Sequence, residues 1–68
     1  MVVHVRYAGQ SLDLPFHDLD LGDLSSDRDV RHAVANRLNE PVRKLSNYVV
    51  DRNQLTGDIT LRPQAVFG

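Results

Sequence analysis

Apolar and polar residues alternate at the start of the chain. In VVHVRY, Val3, Val5 and Tyr7 fall on one face and Val2, His4 and Arg6 on the other, the period of two that marks a strand. AGQS follows, where Gly9 is free to take the positive φ that a tight turn often needs. LDLPF alternates again, with Leu12, Leu14 and Phe16 on one face. Two alternating runs around a short glycine-containing loop predict a hairpin. Pro15 has no N–H to give to a ladder, which places the second strand at a sheet edge.

The pattern then changes period. HDLDLGDLSS reads as a loop carrying Asp18, Asp20 and Asp23. Ser26 is the expected helix N-cap, and Asp29, three residues on, completes a weak capping box. Asp27 and Asp29 also put negative charge in the first turn, where the helix dipole favours it. Val30, Val34 and Leu38 recur every four residues with Ala33 beside them, one apolar stripe. Pro41 ends the helix by about Asn39. Leu45 is expected to plug the core, NYVVD to form a strand, NQLTGD to turn at Gly57, and DITLR to form a last strand with Ile59 and Leu61 inward. In the third strand Tyr48 and Val50 lie opposite Val49. Only one set can face the helix, and the other would be an exposed apolar patch; Tyr48 and Val50 are the candidate partner surface.

Composition narrows the function classes. With 68 residues the chain is one domain with a small core. A net charge of −1 argues against a dedicated nucleic-acid binder, which carries a basic stripe. There is no cysteine, hence no disulfide and no thiolate metal site. No apolar run approaches the roughly 20 residues that span a bilayer. MVVHVRYAG lacks the layout of a signal peptide, so a cytoplasmic location and no membrane partner are expected.

The order β-β-α-β-β leaves few compact solutions. One helix must cover one face of a single four-stranded sheet. Placing the first and last strands side by side and parallel in the centre explains why both are apolar on one face. The expectation is an α+β fold, a β-grasp with a four-stranded mixed sheet packed on one helix. The domain would occupy residues 1–62 and an extended C-terminal tail residues 63–68.

The whole chain resembles the ubiquitin-like β-grasp proteins. MVVHVRYAGQSLDLPF is similar to their opening hairpin, LSSDRDVRHAVANRLNEP to their capped helix followed by a proline, and ITLRPQAVFG to their last strand and protruding tail. The likeness is one of pattern, and this fold serves many roles. For a prokaryotic ubiquitin-like modifier, the resemblance implies conjugation through Gly68. An adenylating enzyme of the ThiF type would activate its carboxylate, and target proteins would accept it on amines. A JAB-type metalloprotease is a further implied partner. Pro63, Val66 and Phe67 would then serve tail recognition. Residues 63–68 span roughly 20 Å when extended, and a terminal glycine lets its backbone approach an active site closely. The chain departs from the usual Gly-Gly ending; Phe67-Gly68 is similar instead to the Val-Gly end of the ubiquitin-fold modifier. Bulky Phe67 disfavours a sulfur carrier, whose tail fits a tunnel built for Gly-Gly. A non-covalent protein-interaction module of the same fold is the alternative reading.

Other features point to no further chemistry. A calcium loop needs glycine at its sixth position; counted from Asp18, Gly22 is fifth. His4, His17 and His32 show no ligand spacing, and no serine, histidine and aspartate group as a triad. The chain reads as a monomeric non-enzyme without cofactor. Acidic residues crowd the first half, Asp13 to Asp29, while Arg37, Arg43, Lys44, Arg52 and Arg62 favour the second, an asymmetry that can steer docking. Lys44, the only lysine, is the single side-chain amine that could accept a conjugate.

Overall fold

A computed structural model describes residues 1–64 of the chain. Four strands, β1 (Val2–Tyr7), β2 (Gln10–Pro15), β3 (Tyr48–Arg52) and β4 (Ile59–Pro63), form one sheet in the order β2-β1-β4-β3. The helix α1 (Asp27–Leu38) lies on one face. The central pair β1 and β4 is parallel, with Val3 beside Ile59 and Val5 beside Leu61. The outer pairings are antiparallel. This is an α+β, β-grasp-like fold, with Pro15 on an outer strand as its missing N–H requires.

The core is built from one side of each strand. Val3, Val5, Leu14, Ile59 and Leu61 meet Val30, Val34 and Ala35 of α1, and Leu45, from the segment after the helix, is fully buried in the same core. Burying a leucine completely contributes roughly 1.5–3 kcal/mol, a large share for a domain of this size. Of the two helix alanines beside Val34, Ala35 is buried and Ala33 is half-buried.

Local chemistry sets the boundaries. Ser26 Oγ accepts the Asp29 N–H at 3.1 Å and Asp29 Oδ2 accepts the Ser26 N–H at 3.0 Å, the reciprocal capping box. Asn39 closes the helix in the left-handed region at φ 58°, where asparagine is among the better tolerated side chains. Two short 3-10 helices, Phe16–Leu19 and Val42–Leu45, flank α1. The first takes Phe16 from the end of the expected second strand and His17 to Leu19 from the segment expected to be loop, and it turns Phe16 and Leu19 into the core. Strand β4 also runs one residue beyond the expected domain boundary at 62: Pro63 stands opposite Tyr48. The registered ladder with β1 ends at Leu61, so the proline falls past it and its missing N–H deprives no β1 partner.

Candidate interaction face and tail exit

The face of the sheet away from α1 is polar. Register fixes its rows: Asp13 of β2, His4 of β1, Thr60 of β4 and Asp51 of β3 stand side by side. His4 Nδ1 donates to Asp13 Oδ1 at 2.7 Å, and its Nε2 lies 3.7 Å from Asp58 Oδ2. Asp58 Oδ1 accepts the Val2 N–H at 2.9 Å. One imidazole thus faces a carboxylate of β2 and one from the residue just before β4. The hydrogen bond to Asp13 is the chief cause that holds the His4 pKa above its ordinary 6.5, with the charges of Asp13 and Asp58 adding and desolvation opposing. Further along, Arg62 Nε donates to Asp51 Oδ2 at 2.8 Å.

The candidate partner surface of Tyr48 and Val50 does not lie on this face. Tyr48 and Val50 point to the helix side and pack on the core, leaving Val49 as the outward residue of β3. The pairing decides this: Val50 sits opposite buried Leu61, while Val49 sits opposite Arg62. Residues directly across a ladder share a face. Tyr48 meets Tyr7 with ring centroids 6.0 Å apart at 41°, a tilted aromatic contact. Desolvation, then the neighbouring Tyr7, raises the Tyr48 pKa above its usual value.

Arginines tie β3 to α1 at both ends. Arg31 Nη2 donates to the Tyr48 carbonyl at 2.9 Å, filling an acceptor at the outer strand. Arg52 Nη2 reaches the Ser25 carbonyl at 2.9 Å and Asp27 Oδ1 at 2.8 Å, joining the end of β3 to the start of the helix.

The tail leaves from the same sheet. After Pro63, Gln64 is exposed, beside a groove of about 470 Å³ between the end of β4 and the β1–β2 turn. Val66, Phe67 and Gly68, the tail residues named for recognition and conjugation, lie outside the described residues. Lys44 is exposed on the second 3-10 helix, its Nζ 3.3 Å from Glu40 Oε2. Lys44 and the tail exit are thus carried by different elements.

Among the described residues no cluster of three or more histidine, cysteine or acidic side chains has metal-binding geometry. No described helix is long and apolar enough to cross a membrane. The histidine–aspartate group escaped the residue-by-residue reading because each member is unremarkable alone. The signal was in the hairpin: a two-residue loop at Ala8-Gly9 pairs Tyr7 with Gln10 and so brings His4 against Asp13. Set against family models, curated proteins and solved structures, the chain finds no match.

Proposed function

We propose that this protein is a small ubiquitin-like modifier, activated at Gly68 by an adenylating enzyme of the ThiF type and attached to amines of target proteins. The observation that supports the reading is the placing of β4. It is a central strand, parallel to β1, and it leads directly through Pro63 into exposed Gln64. A tail anchored on a central strand has a rigid base from which its end can be presented. Activation would proceed at the Gly68 carboxylate: the carboxylate attacks ATP, pyrophosphate leaves, and a thiolate of the enzyme then displaces AMP from the acyl-adenylate.

The polar outer face favours a second reading, a non-covalent interaction module. Its charged rows offer ion-pairing groups in place of an apolar patch, and such complementarity gives specificity and fast association. Sulfur carriage ranks below both because of Phe67.

The test is the intact mass of the full chain after incubation with ATP and a ThiF-type enzyme, beside a chain lacking Gly68. An adduct on the full chain alone, cleaved by thiol or hydroxylamine, supports the modifier. Absence of any adduct with several such enzymes, while both chains fold, supports the interaction module.

A further inference from the structure

We propose that the groove beside the tail exit docks an acidic peptide segment of a partner protein, with a carboxylate of that segment ion-paired to Arg6 and Arg62. The groove is lined by Arg6, the Ala8–Ser11 turn, Arg62, Pro63 and Gln64, with Tyr7 completing its wall. Two guanidiniums and no acidic side chain line it, so its charge complements a carboxylate.

Val5 stands beside Leu61 in the last registered pair of the parallel ladder, and Arg6 and Arg62 follow on their strands where that ladder ends. Asp51 pairs with Arg62 at 2.8 Å. Arg6 is exposed and has no acidic partner among the described residues. Arg6 is therefore open to a carboxylate supplied from outside the fold.

The surroundings suit an extended peptide. A Cβ built on Gly9 would meet nothing within 4 Å, so the turn leaves open space for a backbone to pass. Tyr7, Ala8 and Pro63 also border the groove. A carboxylate between two guanidiniums accepts charge-assisted, bidentate hydrogen bonds. This inference reaches beyond the modifier reading, because docking needs no chemistry at Gly68 and would hold equally for an interaction module.

The experiment is a titration of the ¹⁵N-labelled full chain with the blocked peptide Gly-Glu-Tyr-Glu-Gly and its uncharged analogue Gly-Gln-Tyr-Gln-Gly. The glutamate peptide should shift amides from Arg6 to Ser11 and from Arg62 to Gln64, and lose affinity as salt rises. Arg6→Gln should weaken it by about threefold, the size of one exposed ion pair, whereas Arg28→Gln on the helix should leave it unchanged. The peptide swap on the unaltered chain keeps the test independent of any variant's folding. Equal shifts with both peptides, shifts spread over all the arginines, or an Arg28→Gln effect as large as that of Arg6→Gln would overturn the proposal.

Discussion

Ala8 holds φ at 52° and Gly9 at 76°, positive values at both centres of a two-residue hairpin loop. The type I′ turn requires this, and asparagine or glycine is the usual first residue. An alanine Cβ in that region crowds the following carbonyl, which costs roughly 1–2 kcal/mol. Ala8→Gly should therefore stabilise the fold by about 0.5 kcal/mol, after the added freedom of the unfolded chain takes back part of the relief. Ala8→Val should destabilise it by more than about 1 kcal/mol. Urea unfolding of the three chains checks the order. Residue-level reading found Gly9 but placed the loop over four residues, so it missed the strain at Ala8 and, with it, the pairing of His4 with Asp13. It also left the side of Tyr48 open, for a physical reason. YVV has no polar residue to mark its outer face, and only the register against Leu61 and Arg62 assigns one.

At the scale of the element, α1 was the most legible part. Its N-cap, its acidic first turn and its stop before Pro41 are all local chemistry, and local chemistry is what a sequence displays. Removing the cap by Ser26→Ala should cost about 1 kcal/mol, read as a drop in the urea midpoint at an unchanged slope. Asp29→Asn should cost less, since the amide oxygen can still accept the Ser26 N–H while the charge near the helix dipole is lost. The segment before the helix was less legible. HDLDLG has no helical period, and a 3-10 helix of four residues needs none; what fixes it is the tertiary demand that Phe16 and Leu19 reach the core. Asp20, at φ 54°, ends that turn by donating its N–H to the Phe16 carbonyl. Such a turn is specified by what it packs against, which lies elsewhere in the chain.

For the whole molecule, order and burial sufficed to predict the sheet, because one helix and four strands have to bury the same apolar faces. The charged face was not predictable in the same way, since its pairs join β1 to residues 9 and 54 positions away. Those pairs give the molecule a pH profile whose sign follows from two groups. His4 has a raised pKa, chiefly from its hydrogen bond to Asp13, so its contribution is complete below 6.5 and is lost as pH rises through the folded-state value. Asp29 has a lowered pKa, chiefly from the Ser26 N–H, so its contribution is complete above 3.8 and is lost as pH falls through the folded-state value. Together they place the greatest stability in the mildly acidic range between 3.8 and 6.5. Thermal midpoints measured from acid to alkaline pH should form a plateau there and decline on the alkaline side as His4 loses its proton. His4→Asn should flatten that alkaline decline and leave the acid limb in place, because Asp29 is untouched. An alkaline limb that survived the substitution would mean that other groups carry the pH dependence, and that the sheet face gains nothing from the imidazolium.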